Sequence, residues 1–168
     1  MLLRLFTSNP GVLRDAVLIA AFALPSSFAL ADGGPFEDYA GAWTGGGSIT
    51  SSNGNTERIR CRAHYYVAQE GRDLNQQLRC ASDSYHFDVN SALLEQGAGA
   101  VVGNWSETNR NASGSVSGQV QGGSVRAHIV GAGFTAEMTV VMSGDRQSVR
   151  IAPSGSEITL VTIEMRRE

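Results

Sequence analysis

The chain has 168 residues, a formal net charge of -3 and thirteen basic side chains, all of them arginine. Such a length suits one domain with its own core, and the mild acidity argues against nucleic acid as a partner. With no lysine present, a phosphate-binding P-loop, a Schiff-base enzyme and a Ser-x-x-Lys hydrolase are all excluded.

The first segment reads as an address. Arg4 and Arg14 supply positive charge, Ala16 to Pro25 form an apolar run too short to span a bilayer, and Ala29-Leu30-Ala31 is an A-x-A cleavage site. Residues 1–31 are therefore expected to be a signal peptide and 32–168 a single β-barrel domain, periplasmic or secreted and not integral to a membrane after cleavage. Export puts Cys61 and Cys80, the only two cysteines, in an oxidising compartment, where an even count reads as one disulfide.

From there on, apolar residues alternate with a period of two, and turn residues recur at short intervals. Strands are expected near 42–50, 56–68, 73–81, 84–95, 99–107, 114–121, 124–130, 133–143, 146–152 and 157–167, with no sustained helical period. In an antiparallel hairpin the numbers of facing residues have a constant sum. A loop around Asn53-Gly54 sets Ile49 opposite Ile59. A two-residue loop at Glu70-Gly71 sets Cys61 opposite Cys80, close enough for a disulfide, with Ala63, Tyr65 and Val67 on the same face. A turn at Ser82-Asp83 faces Cys80 with Tyr85. Further on, Gly122-Gly123 pairs Val120 with Val125, Gly131-Ala132 pairs Ile129 with Phe134, and Gly144-Asp145 pairs Met142 with Gln147. The last segment alternates in two conflicting phases, Ile158-Leu160 and then Val161-Ile163-Met165, which predicts a bulge.

The fold class that follows is all-β: an up-and-down antiparallel meander of about ten strands closing into a small barrel, with a two-sheet sandwich as the alternative. The cysteine face carries Trp, Phe, Val, Ile and Met, while the opposite face carries Arg, His and Asp. The apolar side is thus expected inside, the reverse of a lipid-embedded barrel. Small residues also fall on the inner face, at Gly45, Gly47, Ala63, Gly103, Gly118, Ala127 and Ala136, and are expected to leave room in the lumen.

Gly41-Ala42-Trp43 opens the first strand, and Arg166 and Arg167 stand near the end of the last. This pairing resembles the G-x-W and closing-arginine pattern of the calycins, the lipocalin-like and fatty-acid-binding-like barrels. The resemblance rests on two short motifs, the first repeated at Gly103-Asn104-Trp105, and it implies a ligand held in the lumen. An exported barrel with one disulfide is also similar to the small periplasmic inhibitors of metalloproteases, which implies a protein partner instead.

No constellation of residues names a reaction. His64, His86 and His128 fall on separate strands of the outer face, without the close spacing of a metal-binding pair. Gly114 to Gly118 has Val116 where a hydrolase elbow needs serine. Neither a catalytic residue, a metal nor a cofactor is expected, and two classes stand ahead of an enzyme. One is a binding protein with a small apolar ligand in a lumen lined by Trp43, Tyr65, Phe87, Trp105, Phe134 and Met138. The other is an interaction module or protease inhibitor of the cell envelope. It would act through loops or through an arginine face of Arg58, Arg60, Arg62 and Arg79, which suits an anionic partner.

Overall fold

The computed structural model describes residues 33–168, and the export segment expected over 1–31 lies outside them. Ten strands follow in sequence: β1 (Gly41–Ser51), β2 (Thr56–Ala68), β3 (Asp73–Ala81), β4 (His86–Glu95), β5 (Ala100–Glu107), β6 (Ala112–Gln121), β7 (Ser124–Gly131), β8 (Phe134–Ser143), β9 (Arg146–Ser154) and β10 (Ile158–Arg167). Each pairs antiparallel with the next, and β1 pairs with β10, so the meander is a closed barrel rather than a sandwich. Closure leaves no strand with an unpaired edge.

At three hairpins the expected register is the observed one. Cys61 faces Cys80, Val120 faces Val125 and Met142 faces Gln147. The two cysteines are disulfide-bonded with their Cα atoms 4.1 Å apart. At three other hairpins the pairing is displaced by two residues. Ile129 faces Ala136 rather than Phe134, because the turn lies at Ala132-Gly133, with Gly133 in the left-handed region at φ +83°. Cys80 faces Phe87 rather than Tyr85, because the turn lies at Asp83-Ser84, where the Ser82 amide donates to the Tyr85 carbonyl and the Ser82 hydroxyl accepts the Tyr85 amide. Ile49 faces Glu57 rather than Ile59, since the loop is centred on Asn53: the Ser51 amide donates to the Asn55 carbonyl and the Asn53 side chain accepts the Asn55 amide. A displacement of two keeps every side chain on its original face.

The bulge lies at the start of β10. Ser51 pairs with Ile158 while Thr50 pairs with Leu160, so Thr159 is the extra residue and its hydroxyl caps the Thr50 carbonyl. This resolves the two phases: Ile158 and Val161 both pack on the core.

The inward glycines do something other than leave room. A Cβ on Gly47 would lie 1.7 Å from the Thr162 carbonyl oxygen, and one on Gly45 would lie 2.0 Å from that of Glu164. At these positions the neighbouring backbone occupies the space of a side chain, so the glycines let β1 close tightly on β10. The part of the barrel behind β1 is accordingly filled, with Ile49, Ile59 and the disulfide buried there. What remains open lies toward β3–β10.

Candidate functional site

One end of the barrel is sealed from residues that precede the first strand. The Gly34 and Phe36 amides donate to the Glu70 and Gly71 carbonyls, which pins this segment against the β2–β3 turn. A 3-10 turn over Glu37–Tyr39 then lays Phe36 and Tyr39 under the sheet, both almost fully buried. The Trp43 indole donates to the Tyr39 carbonyl at 2.8 Å. Arg167 stacks its guanidinium 4.7 Å from the centre of the Trp43 ring and donates to the carbonyls of Asp38 and Ala40. One cation thus ties the last strand to the entry of the first, through cation–π attraction and through carbonyls that would otherwise lack donors.

Above this floor lies a cavity of about 210 Å³. Tyr65, Trp105, Phe134 and Met138 line it, whereas Trp43 and Phe87 do not. Trp43 is part of the floor. Phe87 stacks flat on Tyr85 at 6.0 Å beneath the Arg110 guanidinium, and this group fills the rim on the β3–β4 side. The position of Trp105 follows from a cross-strand row running Trp105, Gly114, Gly131, Phe134. With no side chains on the two glycines, the indole lies across them, donates to the Val130 carbonyl at 3.1 Å and meets the Phe134 ring at 5.7 Å.

Most of the wall is aliphatic or aromatic; its polar members are Tyr39, Tyr65, Gln76 and Ser91. Three of these are already engaged. Ser91 donates to Gln76 at 2.9 Å, and Tyr65 donates to the buried Gln147 at 2.9 Å. Tyr39 differs, because its hydroxyl is buried with no hydrogen-bond partner. Burial, followed by the neighbouring Tyr65 and Asp38, pushes the Tyr39 hydroxyl well above its ordinary pKa. Burial also pushes Tyr65 up to about 12, against the opposing pull of its bond to Gln147. Both tyrosines therefore remain neutral donors at physiological pH. Among the described residues, no arginine or histidine belongs to the cavity wall.

The remaining candidates face outward. His64 stacks on Tyr66 at 4.3 Å, and His128 Nδ1 lies 2.7 Å from the Glu137 carboxylate. Arg58, Arg60, Arg62 and Arg79 share one outer wall, where Arg79 pairs with Asp88 at 3.0 Å. Tyr39 and Gln147 could not be found by strand periodicity alone. Tyr39 precedes the first strand, while Gln147 betrays itself only as a polar residue facing Met142 on the inner side.

The rim is held by Glu107, a buried carboxylate that accepts the amides of Asp88, Asn109 and Arg110 at 2.9, 3.2 and 2.7 Å. Burial pushes its pKa up, but these amides and the nearby Arg110 together outweigh burial and hold it below the usual carboxylate value. A depressed folded-state pKa contributes stability above the unfolded value of about 4.3 and loses it as pH falls through the folded one. Glu107→Gln is expected to cost about 1–2 kcal/mol near neutrality and to flatten the loss of stability below about pH 4. Urea titrations at several pH values measure both, and parallel acid profiles for the two proteins would refute the assignment.

No family model and no curated protein matches the chain. Solved structures do. The S-type phycobiliprotein lyase CPES from Guillardia theta superposes with a TM-score of 0.58 at 11% identity, over 79% of this chain and 90% of that one. Rv2717c from M. tuberculosis superposes with a TM-score of 0.58 at 10% identity, over 79% of this chain and 94% of that one. These likenesses show a shared fold, the closed antiparallel β-barrel.

Proposed function

We propose that this protein binds one small, neutral, largely apolar molecule in the barrel lumen, with a hydrogen-bond acceptor directed to the Tyr39 hydroxyl. The observation that carries this reading is an apolar cavity of about 210 Å³ with a buried donor in its wall that has no partner. An apolar cavity of about 150 Å³ accommodates benzene, so this one suits a substituted ring or a short chain. A carboxylate would enter without a cation to meet it, at the cost of its hydration. A ketone, aldehyde or quinone supplies the acceptor without that cost.

The neighbouring fold that belongs to a phycobiliprotein lyase leaves room for chemistry on such a guest. Binding ranks first because the polar groups in this wall are hydroxyls and amides that do not exchange protons near neutrality. The disulfide supports a location outside the reducing cytosol, in the periplasm or the medium. No helix among the described residues is long and apolar enough to cross a membrane, and the barrel itself turns its apolar face inward.

Trp105 lines the cavity and Trp43 lies outside it, so tryptophan emission reports occupancy. Titration with acetophenone, ethylbenzene and benzoate is expected to give tightest binding for the ketone and weakest for the carboxylate. Tyr39→Phe should bring the ketone down to the hydrocarbon, a loss of about 2- to 10-fold. Ala136→Phe, at a buried position in the wall, should abolish both. Equal affinities of wild type and Tyr39→Phe for the ketone would remove the head-group assignment. No response to either neutral compound, and no co-purifying mass by native mass spectrometry, would remove the binding reading itself.

A further inference from the structure

The charge on the outside of the barrel is segregated. Arg58, Arg60 and Arg62 project from β2, and Arg79 from β3. The fold adds to this wall Arg146 and Arg150 from β9 and Arg166 from β10, residues far away in sequence that ring closure brings alongside. The register makes the arrangement explicit: one cross-strand row runs Arg146, Arg166, Thr44, Arg62, Arg79. A second row places Arg150 beside Thr162, Ser48 and Arg58. All of these arginines are exposed. On the opposite wall, β4–β8 carry a single outward arginine, Arg126.

Little of this charge is neutralised locally. Arg79 meets Asp88, and among the described residues no other arginine of the wall has a carboxylate within 4.0 Å. Glu57, next in sequence to Arg58, accepts the Ser84 amide instead. The wall also lacks apolar anchors. Thr44, Gly46, Ser48, Ala81, Thr162 and a single exposed carboxylate, Glu164, lie between the arginines. The one exposed ring of this wall, Tyr66, sits toward the end of β2 stacked on His64, so a protein partner would find no clustered aromatic or aliphatic centre of the kind that dominates such interfaces. Nor does the row form a groove with stacking rings, as single-stranded nucleic acid requires.

From this geometry we infer that the β9–β10–β1–β2–β3 wall docks the protein on a membrane surface bearing anionic phosphate headgroups. These five strands are half of the ten-strand ring, so the wall curves: Arg166, Arg58, Arg60 and Arg62 on β10 and β2 face a surface together, and Arg146, Arg150 and Arg79 flank them at its margins. Arginine pairs with phosphate through two parallel hydrogen bonds. The wall backs the filled part of the barrel, so docking there leaves the β4–β8 side free. The inference is independent of any ligand in the lumen.

The test is co-sedimentation of the full mature protein with vesicles of phosphatidylglycerol and phosphatidylcholine in equal parts, against pure phosphatidylcholine, at low and at physiological ionic strength. Binding is expected only to the anionic vesicles and should weaken as salt rises. The double variant Arg60→Gln, Arg62→Gln is expected to lose at least about tenfold in partitioning, at about 1 kcal/mol for each basic residue near such a surface. The pair Arg110→Gln, Arg126→Gln removes equal charge from the β4–β8 side and should partition like wild type, with thermal melts confirming that both variants fold. Absence of binding to anionic vesicles at low salt would overturn the inference, as would an equal loss in the two double variants. Tight binding of a single-stranded oligonucleotide by a protein that ignores the vesicles would overturn it as well.

Discussion

Trp43→Ala is expected to lower the unfolding free energy by about 4 kcal/mol, the cost of removing a large buried aromatic side chain. The indole is 1% exposed and joins several parts of the structure at once. It donates to the carbonyl of Tyr39, packs edge-on against Tyr65 at 6.4 Å and carries the stacked guanidinium of Arg167. Without it, the 3-10 turn loses its seat and Arg167 loses the surface that orients it toward two carbonyls. Chemical denaturation of the purified variant gives the value directly. A loss below about 1 kcal/mol would mean that the floor can collapse around the vacancy and that the indole is not its organising element.

Reducing the Cys61–Cys80 bond is expected to remove about 3 kcal/mol, because it frees a loop closed across a sequence separation of 19. For a domain of this size the melting temperature should fall by about 10 °C. The double variant Cys61→Ala, Cys80→Ala separates the cross-link from the thiols and should melt close to the reduced protein. The bond lies in the filled part of the barrel, so a melting curve unchanged by reductant would show that packing against Ile49 and Ile59 suffices to hold β2 to β3.

How much of this was legible in the sequence depended on which physical signal each element left. Inside and outside were legible from alternation alone, because a two-residue error in pairing does not change a side chain's face. Exact partners needed the turn chemistry. Gly122-Gly123 declares its turn, since both residues have positive φ. Ser82 to Tyr85 does not, because its geometry comes from a hydroxyl capping an amide. The cavity was harder to read. Gly45 and Gly47 look like vacant volume in a list of inner residues, yet the backbone of β10 fills the space beside them. Trp43 belongs to the inner face by parity, but the segment before β1 rises to meet it and withdraws it from the lumen. That segment has no strand period, so Tyr39 and its unpaired hydroxyl left no trace in the alternation. The arginine wall was only half visible, because Arg146, Arg150 and Arg166 join β2 through the contact between the first and last strands.

That contact also sets the order in which the molecule can be made. Every other pairing joins strands that are neighbours in the chain, and such hairpins form quickly because their loops are short. The β1–β10 seam joins Trp43 to Arg167 and must wait until β10 is present. Until it forms, the nascent sheet has two open margins of unequal character. One is β1, rich in glycine and a poor template. The other is β10, whose run from Ile158 to Ile163 is uncharged and largely β-branched, the composition that recruits a foreign strand. A newly made chain therefore carries its most adhesive segment exposed until the ring shuts, and the same six residues that complete the barrel are those most able to divert it into another molecule's sheet.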